Sequence, residues 1–409
     1  MNIVFHRYNN ICEPGYIDAF TRLGIEVIED DMEIREKSIP GDVRITTIAE
    51  YILKNRPMFV FSINFFPYIS DICEKLNTIY VCITVDCPVA ELFSVSVRNE
   101  CNRIFLFDSA QYDLLKNENP GRIFHIPLGV NPQISDAARP FIPSDDTVSE
   151  YKYGVSFVGS LYNEKNPYRD IAPKLPERTR GFCDGIIAAQ EVLGGMDLLD
   201  AIALSSSAEL SQTVDALEEY MPEALKFKED MITDIPLFWT VDTCFGSELT
   251  VRDRLLFLAS VSESIRDIDI LHLFTRSDIS GLGSIAPAIA FHGGVSTLRE
   301  MPEVFAGSKI NLNITMRPIR RGLPQRIWDV LGCGGFLLTD VRNDMPEGLV
   351  AGKHLEVYED VSDACEKVRY YLTHEDERKE IARSGYEAAL SENMIMNRVV
   401  SMIRVISEQ

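Results

Sequence analysis

Four arginines, Arg317, Arg320, Arg321 and Arg326, gather around the start of a helix that the sequence places near Pro324. Gly322 can take the loop conformation, and Pro324 suits a first helical turn, where its missing N–H costs little. A helix N-terminus presents unpaired N–H groups and the positive end of the backbone dipole, so it is a ready anion site. The chain carries a formal net charge of −22, and a cationic cluster in so acidic a protein points to a phosphate or pyrophosphate ligand. The competing reading is that the arginines pair with surface carboxylates.

A second group of chemistry-bearing residues lies where apolar runs end. His6 and Arg7 follow NIVF, Asn64 follows FVFSI, and Asp86 follows the run that ends at Val85. In parallel α/β sheets ligands bind beyond the carboxyl ends of the strands, so these residues would face one crevice. Asp86 can also be read as a cap for the turn that begins at Pro88. Asp267 and Asp269 form a DxD, a pattern that can hold a metal beside sugar diphosphates. Here they flank or enter an apolar run, Ile268 to Phe274, and read as structural. Cys87 and Cys333 are candidate nucleophiles, but with no adjacent histidine they read as small packing residues. The six histidines show no metal-ligand spacing.

The elements that must position these residues alternate strand and helix. Residues 292–340 read as a Gly-Gly loop, a short helix, a strand from Ile310 to Thr315, the arginine loop, a helix, and a strand from Phe336 to Thr339. That is the crossover unit of a parallel sheet. Further strands are expected at 2–5, 25–28, 58–63, 78–85, 104–107, 123–128, 153–158 and 357–358. No GxGxxG follows the first strand, which argues against a dinucleotide there. The expectation is an α/β protein with two Rossmann-like domains, 1–140 and 151–388, joined by a Pro-, Ser- and Asp-rich linker at 132–150. A helical insertion occupies about 168–262. The last helix, 389–409, would cross back to the first domain.

At 409 residues, 46% apolar and 25% charged, the chain suits two globular domains. Its acidity argues against nucleic-acid or anionic-lipid partners. No apolar run approaches a membrane span, and MNIVFHRYNN reads as a first strand, not a secretory leader. Nine scattered cysteines fit a reducing cytoplasm.

The segments HGGVSTLREMPEVFAGSKINLNIT and QRIWDVLGCGGFLLTD resemble the C-terminal domain of GT-B glycosyltransferases, in particular the group that contains the spore-maturation protein CgeB. FSINFFPYIS, VDCP, FLFDSA and HIPLGVNP resemble the N-terminal domain of that group, and YGVSFVGSLY resembles its first C-terminal strand. The likeness covers most of the chain apart from the insertion. It implies a metal-independent enzyme without a cofactor that takes a nucleotide diphosphate sugar, with UDP-sugar as the expected donor, and passes the sugar to a glycan or protein acceptor. By motif position, Arg326 would contact the diphosphate and Asp329 the ribose or donor sugar, although related enzymes often carry glutamate there. Gly293 to Val295 would pass along the nucleobase, with His292 and Asn313 completing the donor set, and Gly159 and Ser160 would lie under the phosphates.

As the sugar bond breaks, the departing nucleotide diphosphate gathers negative charge, and fixed positive groups stabilise it. Arg320, Arg321 and Arg326 are the candidates. A base must take the acceptor proton in an inverting reaction, with Asp86 the first candidate and His6 the second. The insertion would recognise the acceptor or form a homodimer contact. Two other readings are a nucleotide-sugar epimerase and a non-catalytic binding or structural protein that kept the fold.

Overall fold

The computed structural model describes residues 1–36, 39–142, 151–203, 205, 207–220, 230–232, 237, 239–282, 286 and 288–408. Twelve strands form two six-stranded sheets. The first comprises β1 (Asn2–His6), β2 (Glu26–Asp30), β3 (Phe59–Ile63), β4 (Ile79–Ile83), β5 (Asn102–Leu106) and β6 (Ile123–His125), in the order β2-β1-β3-β4-β5-β6. The second comprises β7 (Tyr153–Val158), β8 (Leu271–Phe274), β9 (Ile289–His292), β10 (Ser308–Asn313), β11 (Leu337–Asp340) and β12 (Glu356–Tyr358), in the order β12-β11-β10-β7-β8-β9. Every pairing is parallel, with registers such as Phe61↔Val81 and Leu312↔Phe157.

Helices cover both faces of each sheet, so central strands are apolar throughout instead of alternating. FVFSI in β3 and NRIFL in β5 are buried at every position. Crossovers between parallel strands bring each following helix back across the sheet, which leaves the carboxyl ends of all strands on one side. Each sheet order also reverses once. The chain leaves β1 toward β2 on one side and β3 on the other, and leaves β7 toward β8 on one side and β10 on the other. Crevices open at these two points.

The sheets are held together by one continuous apolar cluster. Val130, Ile134, Ile327, Trp328, Leu331 and Ile395 are all buried in it. The helix Ile395–Ser407 packs on Glu13–Arg22 of the first domain, and Val130 exchanges backbone hydrogen bonds with Asn393 and Ile395. Arg398 lies over the Trp328 ring and donates to Leu128 O at 3.1 Å.

Several expectations are corrected here. The stretch 132–150 is not uniformly irregular: Pro132–Ala138 is a helix capped by Asn131, while 143–150 lie outside the described residues. β8 begins at Leu271 and not at Ile268, so Asp267 and Asp269 flank it, in keeping with their reading as structural residues. Asp267 is an exposed partner of Arg369, and among the described residues no group of three or more acidic, histidine or cysteine side chains is arranged to hold a metal. β9, which the sequence analysis did not assign as a strand, is the edge strand of the second sheet. The helix Gly246–Ile265, assigned to the insertion, is instead a crossover helix: its buried residues Phe257, Leu258, Val261 and Ile265 belong to the core under β7, β8 and β10.

Candidate functional site

The second sheet's crevice is built around a residue that the sequence analysis passed over. Arg254 extends from the third turn of the helix Gly246–Ile265 to the point where β7 and β10 diverge. It donates through Nη1 to Ser160 O, just after β7, and through Nη2 to Ile314 O at 2.7 Å, just after β10. Its guanidinium lies over the rings of Phe157 and Tyr162. The residue is only 7% exposed, and Nε is buried with no partner among the described residues. Burial holds this guanidinium below its ordinary pKa, and the nearby positive charge of Arg326 pushes the same way. A buried cation bonded to two carbonyls and, among the described residues, to no carboxylate is an incompletely neutralised group.

Arg326 stands in the first turn of the helix Gln325–Gly332, over the Phe305 ring, and donates to Asp329 Oδ2 at 3.1 Å. Asp329 is buried, also accepts from Gln325 at 3.0 Å, and has its carboxyl pushed up by burial against the pull of Arg326. Gly159 and Ser160 turn the chain beside Arg254, and Ser160 Oγ is held by Glu164 at 2.6 Å and Tyr162 N at 2.8 Å. Gly159, Ser160, Arg254, Arg326 and Asp329 therefore share one end of the second sheet.

The other expected donor residues are engaged elsewhere, and the reading of the arginine cluster is corrected. Arg320 is gripped by Asp200 at 2.8 and 2.9 Å and by Asp242 at 2.8 Å. Arg321 pairs with Asp113 of the first domain at 2.8 Å, and Arg317 with Asp253 at 2.5 and 2.8 Å. For these three the ion-pair reading holds. The loop's N–H groups do meet an anion, but a resident one: Arg321 N and Gly322 N donate to Asp108 Oδ2 at 3.1 and 3.2 Å. Gly322 is required there, because a Cβ would lie 2.9 Å from Phe107 O. Asn313 is spent on Thr315, Thr339 and Asp340, locking the ends of β10 and β11. His292 stacks on Phe274 with centroids 4.4 Å apart and meets His272 at 3.0 Å. After it Gly293 is open, whereas Gly294 admits Arg276, whose Cγ would be 2.2 Å from a Cβ. Val295 is half-buried against the core.

Facing this set, the first domain presents a polar network at the ends of β1, β3 and β4. Asn64, with left-handed φ of 58°, donates to Asp86 Oδ2 at 2.7 Å and to Tyr8 OH at 2.9 Å, and accepts from Val85 N. Glu13, fully buried at the start of its helix, accepts from Tyr8 N and Asn10 N at 2.9 Å each and from Arg7 at 3.1 Å, so it fixes the loop after β1. Burial and the nearby Asp86 hold the Tyr8 hydroxyl protonated far above neutrality. Asp86 is exposed on the crevice. His6 is not: it is fully buried, with Nδ1 2.8 Å from Asp30 and Nε2 3.2 Å from Tyr68 OH, and it packs edge-on against Phe66. The structure thus removes His6 from the crevice and leaves Asp86 there. Cys12 lies between the domains, its thiol pushed up by burial and then by the charges of Asp329 and Asp86. Burial likewise raises the thiols of Cys87 and Cys333, consistent with packing and not with nucleophilic attack.

The domains are latched beside the crevice. Asp344 accepts from Ser109 N at 2.8 Å and Ser109 Oγ at 2.5 Å, and stands 3.5 Å from His125. Burial works to raise the Asp344 carboxyl, yet the hydrogen bonds from His125 and Ser109 leave it lowered, while the bond to Asp344 raises His125.

Residues 256–404 match a family model described as glycosyl transferase-like. Comparison with curated proteins yields no sequence match. Solved structures of similar architecture include a glycosyltransferase from Rickettsia africae (TM-score 0.54, 12% identity, 100% of this chain and 99% of that one). HepE from Anabaena, solved in complex with UDP, aligns over 100% of both chains with TM-score 0.53 and 11% identity. Sucrose-phosphate synthase from Thermosynechococcus elongatus aligns over 100% of this chain and 99% of its own with TM-score 0.53 and 10% identity. The chain has the GT-B fold, two parallel α/β domains, with a glycosyl transferase-like region in the second.

Proposed function

We propose that the protein is a glycosyltransferase that moves a sugar from a nucleotide diphosphate sugar to an acceptor hydroxyl, with UDP-sugar as the donor and no metal required. The observation that carries this reading is Arg254. A buried guanidinium without a carboxylate partner among the described residues, set at the divergence of β7 and β10 and close to Arg326, suits a polyanion. The glycosyl transferase-like match over 256–404 and the UDP held by HepE support the same identification.

The chemistry follows from charge. When the bond from C1 of the sugar to the phosphate oxygen breaks, the leaving diphosphate keeps the electron pair. Arg254 and Arg326 would meet that charge in a site whose groups are already oriented, so little reorganisation is needed. Asp329, beside Arg326 and buried, is placed to accept from hydroxyls of ribose or sugar. Across the crevice Asp86, oriented by Asn64, would take the acceptor proton as the new C–O bond forms, which corresponds to inversion at C1. Gly293, with open space where a side chain would stand, leaves room for a flat base beside the His292–Phe274 stack.

A panel of nucleotide diphosphates and their sugars, read by thermal shift on wild type and Arg326→Ala, tests the reading. A ligand at 100 times its Kd stabilises by about 2.7 kcal/mol. A shift with one diphosphate that shrinks in the variant supports the proposal. No shift with any nucleotide in the folded protein would favour a non-catalytic protein that kept the fold.

A further inference from the structure

A cavity of about 550 Å³ opens between the first domain and the helices inserted into the second. That volume suits a small molecule. It begins at Cys87 and Pro88, directly after Asp86, and runs between the helix Ser109–Leu115 and Asp200, Ala203, Val241 and Asp242. Phe93, Leu114, Leu115 and Val241 give it apolar walls.

Its polar groups are biased toward one chemistry. Among the described residues, Asp108, Glu118, Asp200 and Asp242 line it, with Arg320 the one cation beside them. Asp108 is satisfied by four backbone N–H groups, from Ala110, Gln111, Arg321 and Gly322, and Glu118 is paired with Arg98. Asp200 and Asp242 share one guanidinium, so a net negative charge stays at that end of the cavity. Within apolar walls, that excess of carboxylate favours a ligand that carries positive charge.

We infer that this cavity binds the acceptor, and that the acceptor is a small alcohol or phenol on an apolar frame that also carries an amine. This rests on the proposed transferase reading. The frame fills the apolar walls, the ammonium lies toward Asp200 and Asp242, and the hydroxyl reaches Asp86 at the mouth. In the transfer the acceptor oxygen bonds to C1 of the sugar, the C1–O bond to the diphosphate breaks with its electron pair leaving on the nucleotide, and the hydroxyl proton passes to Asp86. This acceptor class differs from the glycan or protein acceptor expected from sequence, and direct titration decides between them.

Three probes with the same ring test the charge preference: tyramine, tyrosol and 3-(4-hydroxyphenyl)propionate. Each is titrated calorimetrically into the full chain without nucleotide. The expected order is amine, then neutral alcohol, then acid, with amine and acid at least about tenfold apart. Leu114→Trp, at a rim position 60% exposed, should abolish binding while leaving the melting temperature and UDP binding unchanged. Asp200→Asn should reduce the preference for tyramine over tyrosol. Equal affinity for amine and acid, no binding of any probe, or binding indifferent to Leu114→Trp would overturn the inference. UDP titrated into the same samples separates the two ideas: UDP binding without probe binding sinks the acceptor pocket alone, and probe binding without UDP binding sinks the transferase reading.

Discussion

Replacing Arg254 with methionine should separate ligand binding from fold stability. In the free protein the guanidinium makes two hydrogen bonds to carbonyls, leaves Nε unmet and faces the like charge of Arg326. Methionine leaves Ser160 O and Ile314 O without this donor but also removes the desolvation cost of the guanidinium, so the two effects oppose and stability should fall by no more than about 1–3 kcal/mol. The bound state differs. A charge-assisted hydrogen bond contributes about 1.5–3 kcal/mol, and each 1.4 kcal/mol is about tenfold in affinity. Arg254→Met should therefore weaken UDP binding about 10- to 150-fold. Calorimetric titration gives Kd, and chemical denaturation of the same samples gives stability. Were Arg254 only structural, the signs would reverse, with a loss of several kcal/mol in stability and unchanged affinity in whatever remained folded. Unchanged UDP affinity in a folded Arg254→Met protein refutes the reasoning.

Other outcomes follow from the same geometry. Asp86→Asn should lower kcat about 10²- to 10⁴-fold with little change in KM for the donor, because it removes a base and keeps the bond from Asn64 possible; a rate within a factor of two of wild type would dismiss Asp86 as the base. Arg320→Met should cost on the order of 2 kcal/mol by stranding Asp200 and Asp242 yet leave UDP affinity unchanged, as denaturation and titration on one sample would show. Since His125 is raised by Asp344, its contribution is fully present below the ordinary histidine pKa and is lost as pH rises through the raised value. The stability difference between wild type and His125→Gln should thus shrink from pH 5.5 toward pH 8.5, and a difference that grows would contradict the latch. Gly322→Ala should destabilise by about 1–3 kcal/mol through overpacking against Phe107 O, measurable by denaturant titration.

What could be read without coordinates was whatever depends on neighbours in the chain. Continuous apolar runs such as FVFSI mark buried parallel strands, and the Pro324 start and Gly334–Gly335 end bracket a helix that the structure places at Gln325–Gly332. What failed depends on distant partners. The carboxylates that occupy Arg317, Arg320 and Arg321 come from 64 to 208 residues away, so spacing along the chain carries no trace of them. Arg254 was passed over because its helix follows a long helical stretch and reads as part of it, although RDRLLFLASV has the apolar content of a core helix. His6 lies at a strand end like Asp86, but Asp30, Tyr68 and Phe66 close over it, and only the fold brings those three together. β9 is a four-residue edge strand followed by glycines, too short for its pattern to stand apart from a loop.

The most direct test of the central claim is a crystal structure of the full chain grown with saturating UDP. The account predicts diphosphate oxygens within hydrogen-bond distance of both Arg254 and Arg326, above Gly159 and Ser160 where β7 and β10 part. A diphosphate seated on Arg320 and Arg321 instead, or a crevice without nucleotide at saturation, would contradict it.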